Sequence, residues 1–434
     1  MSKYKKYQEY KDSGVEWLGL LPSTWEARRL GFYFSERREK VSDKDYPALS
    51  VTKQGIVPQL ANAAKTDDGD NRKKVSAGDF VINSRSDRKG SSGLSELTGS
   101  VSLINTIITP KSINGRYTHN LLRSYPFQEE FYRYGKGIVA DLWSTNYTSM
   151  KNITIPFPPL QEQQSIANYL DKATAKIDTL IEKQTKLIEI LKEKRQAVIS
   201  TAVTRGLDSS VPMKDSGVEW LGEIPEHWKA LQLKRISSIK GGYAYSTTDF
   251  QDEGIQIIKI GNVYQSKFHT DRQPTFISEN VAKKTKEFLI KEGDLIISLT
   301  GTLGKRDYGY AVTVDKKGEY RLNQRVAKMA PNVKLVKTSY LSYIMKSEQY
   351  LTQIYALPSG TKQANLSNDD VLSATCALPS LEEQEKIVQY IDIKTSQTDR
   401  LISKAAKAID LLKEKRTALI SAVVTGKIDI REDI

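Results

Sequence analysis

The sequence predicts an α+β protein. Two globular modules of mixed α/β structure are separated by two long antiparallel coiled-coil helices, in an internal pseudo-twofold repeat. Three observations predict this. Residues 12–19 and 215–222 both read DSGVEWLG. PPLQEQQSIANYLD, from Pro158, is closely similar to PSLEEQEKIVQYID, from Pro379, and LKEKRQAVISTAVT (191–204) to LKEKRTALISAVVT (412–425). Between these repeats lie two stretches, roughly 30–157 and 233–378, with no comparable identity. A repeated frame around unlike interiors is the signature of a duplicated architecture whose two modules have diverged.

The connectors come first along the chain. Pro22 matches Pro225, Trp25 matches Trp228 and Leu30 matches Leu233, all at the offset of 203 set by the octapeptide. The helical repeats are offset by 221, so the second divergent stretch is the longer by 18 residues. The boundaries read as 1–158 for the first module with its connector, 159–206 for a central helix, 207–378 for the second module and 379–434 for a C-terminal helix. Trp17, Trp25, Trp220 and Trp228 recur with the connectors and read as core at the module–helix junctions.

Within the modules, apolar runs bounded by turn residues predict short strands: SAGDFVINS (76–84), VSLINTIITP (101–110), GIQIIKIGNV (254–263) and KEGDLIISLTG (291–301). AGDFVIN and EGDLIIS place Gly-Asp before a buried-type strand in both, which suggests one fold with divergent surfaces.

The helices are the clearest elements. Leu160 to Val203 contains neither glycine nor proline and is dominated by good helix formers. Its apolar residues follow a 4-3 spacing, Ile166, Leu170, Ala173, Ile177, Leu180, Leu187, Leu191 and Val198, broken at Gln184 and Lys194. The second copy keeps Ile387, Ile391, Leu401, Ala405, Ala408, Leu412 and Leu419, broken at Lys394, Thr398 and Lys415. Such a seam wants a partner helix, and the duplication offers one in the same chain. Prolines precede each helix, and Gly206 and Gly426 follow. About 44 residues at 1.5 Å each make a rod of roughly 66 Å.

The formal charge of +13 suggests a polyanionic partner. Residues 20–158 hold 20 Lys+Arg against 14 Asp+Glu, and residues 223–378 hold 22 against 16, so the surplus lies in the modules and the helices are balanced. A pair of ordinary basic domains would show the same modest excess. A single cysteine, Cys376, excludes an internal disulfide and fits a cytoplasmic protein. The basic N-terminus lacks the apolar core of a signal peptide, and no stretch is apolar enough to cross a membrane. Three histidines leave little for a zinc site, and no metal or cofactor is expected on this chain. Asp67, Asp68 and Asp70 resemble a calcium loop without its closing Glu, and a surface turn is the expected reading.

Taken together, DSGVEWLGxxPxxW before each module, PxL(Q/E)EQ opening each helix and LKEKRxAxIS near each helix end resemble the specificity subunit of type I restriction-modification systems. The resemblance covers essentially the whole chain. It implies a non-catalytic subunit with two target recognition domains, each reading one half of a split, asymmetric DNA sequence. The helices would set the spacing and dock two modification subunits. Double-stranded DNA and those subunits are the implied partners, with room for two restriction subunits. S-adenosylmethionine, and ATP with Mg, would belong to the partner subunits. A stand-alone two-domain DNA-binding regulator or scaffold is the alternative. Catalysis is not expected, because no Asn/Asp-Pro-Pro-aromatic motif is present and Pro-Asp, the start of a common nuclease motif, never occurs.

The candidate DNA contacts follow from the resemblance and from side-chain chemistry. In the second module they are Thr300, Thr302, Lys305 and Arg306 of SLTGTLGKR, and Thr361, Lys362, Gln363 and Asn365 of PSGTKQANLS. Arg325 and Lys240, Tyr243 and Tyr245 of KGGYAY are weaker additions. Gln and Asn pair bidentately with adenine, and Arg or Lys with guanine. The first module has NSRSDRKGSSG (83–93) and VADLWSTN (139–146) in the corresponding places, with Arg85, Arg88 and Lys89 keeping the cationic character. An ordinary solvated loop would present the same residues. Glu162, Gln163, Glu383 and Gln384 recur at the two helix starts as candidate contacts to the modification subunits, or as helix-start residues with acid near the positive end.

Overall fold

Two helices of 46 and 44 residues, Leu160–Arg205 and Leu381–Val424, run through the computed structural model, which describes residues 4–61, 69–137, 143–264, 266–302, 304–357 and 363–431. The chain forms two compact units, 1–185 with 406–434, and 186–405, so each long helix contributes one part to each unit.

In the first unit the two helix segments are antiparallel. Arg416 donates to both carboxylate oxygens of Asp178, at 2.9 and 3.3 Å, while Tyr7 links Glu162 at one helix start (2.6 Å) to Arg431 beyond the other helix end (4.9 Å to the Tyr7 ring centre). In the second unit Arg195 donates to Asp399 at 3.0 Å, and Gly206, just past one helix, lies beside Glu383 at the start of the other. Most of the predicted stripe is buried, namely Ile166, Leu170, Ile177, Leu191, Ile387, Ile391, Ala405 and Leu419, and the phase differs only locally. Leu180, Leu187 and Leu401 are about half exposed, whereas Ile181, Ile188, Ile402 and Ile409 are partly buried and Thr395 and Thr398 buried. A 3-4 alternation can be entered on either step. At these points the helices take the step that places isoleucine in the seam and leaves the neighbouring leucine in solvent.

The globular parts repeat one plan. In the first unit a four-stranded antiparallel sheet has the order Ser92–Leu94, Phe80–Asn83, Asn105–Pro110, Phe34–Glu36; in the second the order is Ala311–Thr313, Leu295–Ser298, Val326–Pro331, Ser237–Gly241. The strand after each Gly-Asp pair is buried along its whole length. Gly78 and Gly293 adopt positive φ (93° and 89°), and the aspartates pin the turns: Asp79 accepts from Arg37 and the Ser76 N–H, Asp294 from Lys328 and the Lys291 N–H. A helix pair follows in each unit, Gly115–Leu122 with Tyr125–Arg133 and Thr338–Ile344 with Glu348–Ala356. The second sheets differ, three strands against five, and carry much of the divergence in length.

Trp25 and Trp228 are fully buried, under Gly426 and Gly206 respectively. Trp220 departs from the expected core role. It stands 44% exposed in its hairpin, whereas Trp17 packs edge-on to Phe127 at 6.2 Å. No helix among the described residues is long and apolar enough to cross a membrane.

Candidate nucleic-acid interface

In the second module the strand Leu295–Ser298 continues into Thr300–Thr302, which pairs antiparallel with Gln363–Asn365, Thr300 opposite Asn365 and Thr302 opposite Gln363. Two motifs far apart in sequence therefore form one ribbon. A Cβ at Gly301 would fall 2.4 Å from Asp307 Oδ1. Glycine there lets the Asp307 carboxylate accept the Thr302 N–H at 2.7 Å. Arg325 joins the same surface, donating to Asn365 Oδ1 at 3.2 Å. Lys305 is exposed with no ion pair among the described residues. Arg306 is less free, paired with Glu348 and lying 5.2 Å from the Tyr355 ring centre. Thr300 is buried, and its Oγ1 has no hydrogen-bond partner among the described residues. Thr361 and Lys362 lie outside the described residues.

The KGGYAY loop divides. Lys240 is held by Glu287 at 2.8 Å and lies 5.1 Å from the Phe288 ring centre. Tyr245 is buried, with its hydroxyl donating to Thr285 Oγ1 at 3.0 Å, so it belongs to the core. Tyr243 presents an exposed ring.

The first module brings its own two segments together in the same way. The Ser86 N–H donates to the Trp143 carbonyl (2.9 Å), the Thr145 N–H to the Ser84 carbonyl (3.0 Å), and Arg85 bridges Ser144. Residues 138–142 lie outside the described ones. On this turn Arg85 and Arg88 are exposed, Arg88 with its neighbour Asp87 at 3.6 Å. Lys89 is tied to Glu129 and lies 5.8 Å from the Tyr132 ring centre. Of the acidic triplet, Asp70 accepts from Ser42 (2.6 Å) and pairs with Lys44 (3.5 Å) in a surface turn, while Asp67 and Asp68 are outside the described residues.

The helix-start residues turn inward. Gln163 and Gln384 are fully buried. Gln163 accepts the Asn114 N–H (2.9 Å) and donates to the Pro158 carbonyl (2.8 Å). Gln384 accepts the Lys337 N–H (2.9 Å) and donates to the Leu335 and Pro379 carbonyls (2.9 and 3.1 Å). Asn114 and Lys337 are the N-cap residues of equivalent module helices. These glutamines bind each module to its long helix and present no surface to another subunit. Glu162 accepts from Tyr7, and Glu383 from Trp228 Nε1 (3.0 Å), with His227 Nε2 at 3.1 Å.

Burial pushes the Cys376 thiol up to about 12, away from the thiolate a nucleophile needs. Among the described residues no group of three or more His, Cys, Asp or Glu could hold a metal ion.

Comparison with known proteins gives the family. The type I restriction modification DNA specificity domain matches residues 123–191 and 225–410, more than half of the chain. The chain belongs to this family. The MjaVIII type I restriction enzyme specificity subunit of Methanocaldococcus jannaschii is 28% identical over 283 residues, covering 65% of this chain and 63% of its own length, a little under two thirds. Two solved structures, each 16% identical, share the fold. One, from work on complex assembly and conformational transition of the type I R-M system, has a TM-score of 0.68 over 93% of this chain and 98% of its own. The other, the HsdS subunit from Thermoanaerobacter tengcongensis, has a TM-score of 0.54 over 94% and 98%.

Several further polar residues stand beside the two ribbons. Lys53 and Asn83 share a cleft of about 670 Å³ with Arg88, and Tyr264 and Asp307 share one of about 350 Å³ with Gln363. Each group is assembled from separate elements, so neither spacing nor composition signalled it.

Proposed function

We propose that this chain is the non-catalytic DNA-reading subunit of a type I restriction-modification complex. Each module reads one half of a bipartite, asymmetric site. The helix pair fixes the distance between the halves and docks the modification subunits, which supply S-adenosylmethionine and methylate adenine. ATP and Mg belong to restriction subunits. Double-stranded DNA and two modification subunits are the partners.

The observation that carries this reading is the double use of one fold. The frame is kept down to individual hydrogen bonds, while the ribbon at the end of the Gly-Asp strand differs in every exposed side chain. A split asymmetric target needs two readers that are alike in construction and unlike in surface, held on one body so that their binding energies combine with little linker entropy. Dimeric DNA-binding proteins convert subunit geometry into half-site spacing by the same logic.

The test is selection from a pool of random duplexes by the chain co-purified with its modification subunit. Enrichment of two short base sets separated by a fixed gap is the expected result. Enrichment of one continuous site, or a chain that selects DNA alone and never binds a modification subunit, would favour a stand-alone regulator instead.

A further inference from the structure

Each module carries a polar cleft in an equivalent place. In the first, the leading strand Leu49–Thr52 of its hairpin with Gly55–Pro58, the following Lys53, and the last residue of the Gly-Asp strand, Asn83, line one cavity. In the second, the leading strand Val263–Tyr264 of its hairpin with Lys267–Phe268, and the last residue of the Gly-Asp strand, Ser298, line another. Each lining also contains a buried oxygen without a hydrogen-bond partner among the described residues, Asn105 Oδ1 in the first and Thr300 Oγ1 in the second. Eight such buried nitrogen or oxygen atoms occur among the described residues, and these two lie in the clefts that adjoin the ribbons.

The clefts differ in chemistry. The first is rich in donors. Among the described residues Lys53 is exposed and without an ion pair, Arg88 has only its neighbour Asp87, and Asn83 Nδ2 has no partner. The second has no cation in its lining among the described residues. It offers the exposed Gln363 amide, which faces Thr302 across the ribbon, with the Asp307 carboxylate beside it. Lys or Arg matches the O6 and N7 acceptors of guanine, and a Gln amide matches N7 and N6 of adenine bidentately.

We propose that these clefts are the base-reading subsites of the two modules: the first takes a guanine edge through Lys53 and Arg88, the second an adenine edge through Gln363. This rests on the DNA-reading function proposed above. It adds which residues discriminate and which base each prefers, leaving Lys305 and Arg325 to the phosphates.

The test repeats the random-duplex selection with the full chain and its modification subunit, unaltered and carrying either Lys53→Ala with Arg88→Ala or Gln363→Ala. All three side chains are exposed, so the cores are untouched, and unchanged melting temperatures confirm it. The unaltered complex should require a G·C pair in one half-site and an A·T pair in the other. The double variant should lose discrimination at the G·C pair by roughly 5- to 150-fold and leave the other half-site unchanged, and Gln363→Ala should do the reverse. Variants that weaken binding equally for all sequences would overturn the proposal and assign these residues to the backbone. An unaltered complex that enriches no split motif would overturn the DNA-reading function itself, a result distinct from the first.

Discussion

Replacing Gln384 by methionine tests whether the repeated glutamine is an internal anchor. The side chain is fully buried and serves three backbone groups: the Lys337 N–H, at the cap of the helix Thr338–Ile344, and the carbonyls of Leu335 and Pro379. Methionine keeps the volume and removes every bond. A buried polar group left without a partner costs about 1–3 kcal/mol, and local relaxation recovers part of that for three neighbouring groups. A loss of about 3–5 kcal/mol from the second unit follows from that range. Native-state hydrogen exchange measures it directly, because amides of residues 338–344 should lose protection while those of residues 115–122 keep theirs. Gln163→Met serves one N–H and one carbonyl and should cost about 2–4 kcal/mol, with the affected helix exchanged. A Gln384→Met chain with unaltered protection that no longer bound a modification subunit would refute the anchor and restore the residue to a docking surface.

Lys305→Ala with Arg325→Ala should flatten the salt dependence of DNA binding by about two in the slope of log K against log salt, one for each phosphate left without its cation. Seven residues inserted into both long helices, near Gln184 and near Asp410, should widen the gap between half-sites by about three base pairs, from 1.5 Å per residue, and leave the bases read unchanged. An altered base preference at constant gap would contradict the spacer role. Burial, with Arg123 and Arg416 nearby, lowers the His119 pKa to about 4. The unfolded chain therefore takes up a proton that the fold refuses between pH 6.5 and about 4, and stability of the first unit should fall as pH drops through that window; unfolding of His119→Gln should show a shallower fall. Burial and Arg195 lower Lys346 to about 8, so the second unit should gain stability as pH rises from about 8 towards 10.5, and Lys346→Met should abolish that gain.

Much of the architecture was readable because it rests on local signals. The helix lengths follow from the absence of Gly and Pro, the strand positions from Gly-Asp turns before apolar runs, and the duplication from identity itself. The seam's local phase at a few steps was not readable. Leu180 and Ile181, or Leu401 and Ile402, satisfy the same average period, and only the partner helix decides between them. The glutamines were visible as repeated residues, yet burial alone separates an anchor from a docking contact. The pairing of Thr300–Thr302 with Gln363–Asn365 brought together two motifs already singled out in the second module. The clefts draw instead on residues such as Lys53, in a hairpin turn, and Asn83, at the end of a strand of another sheet, which meet only when the module folds. Nothing in either segment alone marks them, since an exposed lysine in a hairpin turn is an ordinary surface residue.

The central claim is that this chain directs adenine methylation to a split site. Mapping methylated adenine across the genome of cells that carry the modification subunit, with and without this chain, tests it most directly. The account predicts a bipartite motif, two short base sets with a fixed gap, that appears only when the chain is present. The same methylation in cells lacking the chain, or none in cells where the complex demonstrably forms, would contradict it.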